Sequence, residues 1–143
     1  MTEADPVRRL EMIAGGQPDL HRTVILSAPP PAGTGGGPPG ATGEVRIESD
    51  RAERVQLAVH AQAPGFVVLT DQDYPGWSVT VNGNPAPLLP ANHAFRAVPV
   101  PAGESTVVWT YRPWSVWIGI GISLVTFIAV AVVLSWPAGR GAP

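Results

Sequence analysis

The sequence predicts a mainly β fold: an antiparallel β-sandwich of about seven short strands, with a short helix ahead of it and one C-terminal transmembrane helix behind it. Three observations carry that expectation. Apolar side chains recur at every second position in several runs after Glu44, turn-forming residues punctuate those runs, and the stretch Trp114–Trp136 carries no charged side chain. At 143 residues the chain has room for one folded domain.

The alternation is clearest in three places. Val55, Leu57, Val59 and Ala61 point one way, while Arg54, Gln56 and His60 point the other. Trp77, Val79 and Val81 alternate with Ser78, Thr80 and Asn82, and Val107, Trp109 and Tyr111 repeat the pattern. A period of two marks strands with one face toward a core. Between them lie Ala63-Pro64-Gly65, Tyr74-Pro75-Gly76, Asn82-Gly83 and Pro101-Ala102-Gly103, each with residues that reverse the chain. Asn82-Gly83-Asn84 predicts a tight hairpin. Regular short strands separated by turn signals are the pattern of a sandwich.

The first 20 residues read as a short helical segment. Asp5 offers a side-chain cap, and Pro6 stands where its missing N–H costs nothing. Val7, Leu10 and Ile13 or Ala14 recur at helical spacing, and Gly15-Gly16 stop the helix. The β-domain is expected over 21–113. HRTVILS (21–27) is a candidate strand at its start, and the Pro/Gly tract over 28–43 reads as a disordered loop within the fold.

The run WSVWIGIGISLVTFIAVAVVLSW (114–136) would extend roughly 34 Å as a helix, enough to cross a hydrocarbon core of about 30 Å. Trp114 and Trp117 at one end and Trp136 at the other suit the aromatic belts of a bilayer. The partner implied is a lipid bilayer, with a short tail left over at 137–143. Arg112 before the span and Arg140 after it leave the orientation open by charge alone. Pro113 ends the last strand and the span begins at once, so the β-domain is expected to lie against the membrane surface with no flexible stalk.

Composition excludes several functions. With no cysteine there are no disulfides, no thiol catalysis and no thiolate metal site. All nine basic residues are arginine; the eight before the span face eleven acids, and no run of them is clustered in the sequence as nucleic-acid binding requires. No nucleophile–base–acid set is visible, and His21, His60 and His93 fall in no catalytic or metal-ligand motif. No catalytic residue, metal or cofactor is assigned.

The remaining chemistry-bearing residues each have two readings. Asp71 and Asp73, two apart, would share a face on a strand and serve a proton transfer or a hard cation, or else flank a turn. With Tyr74 and Trp77 they form a candidate glycan contact, an aromatic face beside carboxylates. The alternative is that Trp77 heads a strand and packs inward. Arg96 and Arg112 are candidate contacts for a phosphate or a lipid headgroup, or ordinary solvated residues. In the span, Gly119 and Ser123 lie four apart on one face, where small side chains let another helix approach.

The ordered combination from Asp71 to Pro113 carries a family resemblance. The YPGW turn, the Val81-Asn82-Gly83 hairpin, the AFRAVPVPAG segment (94–103) and Tyr111-Arg112-Pro113 leading into a membrane helix resemble the C-terminal region of the bacterial YfhO family of membrane proteins. HRTVIL behind a short helix is similar to what precedes that region in the family. The resemblance covers nearly all of this chain and only the tail of a typical family member. Asn82 stands where the family commonly has Asp, and Ser105 where it commonly has His. The resemblance implies a polytopic protein of the GT-C glycosyltransferase type, using polyprenyl-phosphate sugars at the outer membrane face to decorate cell-envelope polymers. The catalytic acid of that architecture lies in an early extracytoplasmic loop, ahead of the region that this chain resembles. The implied role is thus a non-catalytic accessory β-domain on the extracytoplasmic face. Its partner would be a polytopic membrane protein, or an N-terminal bundle of the same protein. A carbohydrate-binding module held at the membrane surface is the alternative.

Overall fold

The computed structural model describes residues 1–136 except Gly33, Gly35, Gly36 and Pro39. The tail expected at 137–143 lies outside the described residues, as do those four positions of the tract expected to be disordered. The chain divides into two units, Met1–Arg112 and the segment from Pro113 onward.

The first unit is a sandwich of eight strands. β1 (Gly43–Arg51), β2 (Arg54–Ala61), β4 (Trp77–Val81), β5 (Asn84–Ala86) and β8 (Gly103–Tyr111) form a sheet in the order β1-β2-β8-β4-β5. β3 (Gly65–Leu69), β6 (Leu89–Ala91) and β7 (Phe95–Val100) form a second sheet, ordered β3-β7-β6. Every ladder is antiparallel. The alternating apolar residues meet between the sheets: Val55, Leu57 and Val59 of β2, Val79 of β4 and Val107 and Trp109 of β8, against Val67 of β3 and Val98 and Val100 of β7. Complete burial of a valine contributes about 1.5–3 kcal/mol, so this cluster is the main source of the unit's stability.

The smaller sheet is covered on its other face as well. Leu26, Ala91 and Ala97 form a second cluster with Val24, Phe66, Val68 and Leu89 around them. Here the structure departs from the expected strand at 21–27. Only Leu26 makes ladder contacts, bridging Ala91 antiparallel and Thr2 parallel. Around that bridge the Ser27 N–H donates to the Pro90 carbonyl at 3.2 Å and the Asn92 N–H to the Ile25 carbonyl at 2.8 Å, but Pro90 of β6 has no N–H to extend the ladder, and the Ile25 N–H donates to the Asn92 side-chain oxygen at 2.9 Å. The segment therefore borders β6 through a single bridge and does not continue as a strand.

The helix α1 (Pro6–Ala14) forms as its cap and proline require, with Asp5 Oδ1 accepting from the Val7 and Arg8 N–H groups at 2.8 and 3.4 Å. Its apolar residues do not set its inward face. Val7 and Leu10 are exposed, and the buried residue is Arg9. The reason is electrostatic: the preceding segment presents the Glu3 and Ala4 carbonyls, which accept from Arg9 Nη1 at 2.6 and 2.9 Å. A guanidinium satisfies such groups and a leucine does not.

The hairpin at Asn82-Gly83 is as tight as expected. Val81 pairs with Asn84, and both turn residues have positive φ, 52° and 78°, the requirement of a type I′ turn. Asn82 Oδ1 also accepts from the Thr106 N–H at 2.8 Å, tying the hairpin to β8. An aspartate at this position would make the same bond. Within the Pro/Gly tract, Thr34 and Ala41 close turns onto the Pro31 and Pro38 carbonyls, and Gly37 lies so close to Ala63 that a side chain would collide there.

The second unit is α2 (Trp114–Ser135), 22 residues long and apolar enough along its whole length to span a bilayer. The hydroxyls of Thr126 and Ser135 donate to the Ile122 and Val132 carbonyls at 2.9 and 3.0 Å. Such local bonds satisfy polar groups where no water is present.

Candidate functional site

The candidate residues of the β-domain converge on Arg96. β7 places this side chain on the same face as Val98 and Val100, so it points between the two sheets and is 1% exposed. Its Nη2 donates to Asp71 Oδ2 at 3.1 Å, and its Nη1 donates to the Gln72 carbonyl at 3.1 Å. The guanidinium carbon lies 3.9 Å from the centre of the Trp77 ring and 5.9 Å from that of Trp109. Burial pushes the Arg96 pKa below its ordinary value, while Asp71 and Asp73 pull it back up. Arg96 Nε and Trp109 Nε1 are both buried without a hydrogen-bond partner among the described residues.

Residues the sequence offered as separate candidates thus form one assembly. Asp71 stands at its mouth, with its side chain 59% exposed even while paired to Arg96. Trp77 is half-buried: Arg96 covers its ring, and the Tyr111 ring lies 5.1 Å away at a 35° tilt. Tyr74 lies outside this stack and is 60% exposed. Asp73 is half-buried, and its N–H donates to the Ala94 carbonyl at 2.7 Å, which holds the loop against the β6–β7 hairpin. That hairpin turns through Asn92 and His93 with φ of 45° and 73°, a conformation that costs a non-glycine residue energy.

The loop from Asp71 to Gly76 is therefore fastened by side chain and backbone together. Arg96 grips its start, Ala94 its middle, and the Gly76 carbonyl accepts from the Arg112 N–H at 2.7 Å. Arg112 itself is exposed and makes no ion pair among the described residues. Gly119 and Ser123 lie one turn apart on α2, and beyond the helix's own backbone and the chain neighbours nothing described lies within 4 Å of a Cβ built at Gly119.

Sequence patterns did not join Arg96 to Asp71, because the two lie on separate strands and loops. The alternation of Arg96 with Val98 and Val100 was a usable signal: a cation in register with core valines needs an anion and an aromatic face close by.

The arrangement can anchor a loop, and the same loop exposes Tyr74 and part of the Asp71 carboxylate to solvent. Among the described residues no three His, Asp or Glu side chains gather as a metal site. Comparison with known proteins yields one family: residues 41–123, more than half of the chain, match the model of the bacterial membrane protein YfhO. No curated protein and no solved structure matches. The matched region takes in the strands of the sandwich, the Arg96 assembly and the first turns of α2. The chain belongs to the YfhO family of bacterial membrane proteins.

Proposed function

We propose that this chain acts as an accessory, non-catalytic β-domain in the glycosylation of cell-envelope polymers, working beside the multi-span machinery of a YfhO-type glycosyltransferase. The observation that carries the reading is the commitment of the polar groups around Arg96. Asp71 is engaged by the guanidinium, the Trp77 ring is covered, and Asp73 belongs to a loop pinned by its own backbone. Sugar transfer from a lipid-linked donor needs a base for the acceptor and groups that stabilise the leaving phosphate. Here the best-placed acid and cation neutralise each other in a structural pair. Gly119 and Ser123 would supply the contact face for a neighbouring membrane helix, since small residues permit close helix approach.

The test uses the full chain in liposomes supplied with polyprenyl-phosphate sugars and a polymer acceptor, with and without a co-purified multi-span partner. Transfer is expected only with the partner, and Gly119→Leu with Ser123→Leu should abolish co-purification while leaving membrane insertion intact. Turnover by the chain alone, lost on Asp71→Ala or Asp73→Ala, would identify an enzyme instead.

A second reading, a carbohydrate-binding module, is favoured by one observation. Tyr74 is an exposed aromatic three residues along the same loop from Asp71, whose carboxylate is also exposed. In that case Tyr74→Ala should weaken glycan binding by the full chain without altering its melting, as expected for a platform outside the core.

A further inference from the structure

The register of the larger sheet gathers three arginines that are scattered in the sequence. Arg51 and Arg54 are direct cross-strand partners at the end of the β1–β2 hairpin, and Arg54 pairs in turn with Thr110 of β8. Residues paired in this way share a face. That face is the outer one, because the next pair inward, Val55 with Trp109, points into the core. Continuing the alternation past Tyr111 brings Arg112 to the same side, two residues beyond Thr110. All three are exposed, and none takes part in an ion pair among the described residues. Among the neighbouring acids, Glu53 sits in the hairpin turn itself, while Asp50 pairs with Val55 and so falls on the opposite face.

Two further facts say what this patch is for. Like charges directly opposite each other across a ladder destabilise a hairpin, and no carboxylate pairs with Arg51 or Arg54 to relieve that repulsion among the described residues; Arg54 Nη2 donates to the neutral Gln56 Oε1 at 3.4 Å. An anion outside the protein would relieve the repulsion. The patch also lies at the end of the unit where the chain leaves it, since the Tyr111 N–H donates to the Glu53 carbonyl at 2.9 Å. The apolar helix starts at Trp114, three residues after Tyr111. Three residues span at most about 11 Å of extended chain. The link from the arginine-bearing end of the sheet to the apolar helix is thus only three residues long.

We infer that Arg51, Arg54 and Arg112 form a docking surface for the phosphate headgroups of anionic phospholipids in the membrane that α2 spans. Guanidinium groups suit the task because their planar forks match phosphate oxygens in pairs. Each basic residue near an anionic membrane surface multiplies the docked population about fivefold. Docking would fix the β-domain at the headgroup layer and limit its rotation about the short link. The inference does not depend on the proposed role in glycosylation.

The test labels the full chain reconstituted in vesicles. With no cysteine in the sequence, Ala52→Cys gives a unique fluorophore site in the β1–β2 turn, and Ala102→Cys gives a control at the far end of β8. Quenching by a headgroup-spin-labelled phospholipid is read in phosphatidylcholine vesicles with and without phosphatidylglycerol. Quenching at position 52 should rise with phosphatidylglycerol, and position 102 should respond far less. Arg51→Gln with Arg54→Gln should lower the ratio of docked to undocked protein about 25-fold, taking fivefold for each residue. Melting of that variant should be unchanged or raised, which separates lost docking from lost folding. Salt near 1 M, where the screening length is about 3 Å, should mimic the double variant. Quenching at position 52 that ignores phosphatidylglycerol, or survives the double substitution, overturns the inference.

Discussion

β7 and β1 are both strands of this sandwich, and they have opposite fates. In β7 four of six residues are buried and the other two are half-buried, because the smaller sheet has a packed layer on each side. In β1 eight of nine residues are exposed, although Val45 and Ile47 pair with Val59 and Leu57 and so face the core side. The three-stranded sheet is narrower than the five-stranded one and does not reach over β1. The same side-chain chemistry therefore stabilises one strand and only decorates the other. Burial is set by what lies across from a strand, and the strand's own pattern cannot report it. β1 also behaves as a managed edge, with a register irregularity between Ile47 and Ser49 and charges along its length, features that discourage pairing with another chain.

The difference can be broken most forcefully at Arg96, the polar member of β7. Arg96→Ala removes a fully buried side chain, uncovers Trp77 and releases the Asp71–Gln72 end of the loop. We expect a loss of about 2–4 kcal/mol in the unfolding free energy of the full chain in detergent, measured by denaturant titration. An effect below about 1 kcal/mol would mean that the guanidinium is dispensable to the sandwich.

The next effect in size is Val98→Ala, also in β7. It deletes two methyl groups from the core between the sheets and should cost about 1–3 kcal/mol in the same titration, with the slope unchanged. The smallest is Val45→Thr in β1, expected within about 0.5 kcal/mol of the parent, as for an exposed strand position. If Val45→Thr cost as much as Val98→Ala, the exposed face of β1 would be covered in solution by something outside the chain. Measuring both substitutions at several protein concentrations would show whether that cover is a second copy.

The contrast also shows which parts of the fold and of the candidate site were legible in the sequence. The alternating strands β2, β4 and β8 each have one buried and one open face, so the period of two reports them directly. The hairpin at Asn82-Gly83 was legible because few residue pairs accept positive φ at two successive positions. β7 was harder to read, since a strand buried on both faces does not alternate in polarity. The segment 21–27 has the composition of a strand but meets Pro90, which cannot donate. In α1 the spacing of Val7 and Leu10 marked the helix, and the carbonyls beside it decided that Arg9 is the residue buried.

The amino-acid sequence by itself determined the class of this protein: short antiparallel strands joined by tight turns, then an uncharged helix long enough to cross a membrane. Those properties follow from local chemistry, namely periodicity, turn residues and the cost of charge in hydrocarbon, and each is contained within a window of a few to about 20 residues. The tertiary structure alone decided that Arg96 would be a buried clasp on Trp77 and Asp71, and that Arg51 and Arg54 would share one face. Both depend on strand register and on which sheet lies opposite. These are set by contacts between residues far apart in the chain, and a one-residue slip in pairing would send every one of these side chains to the other face.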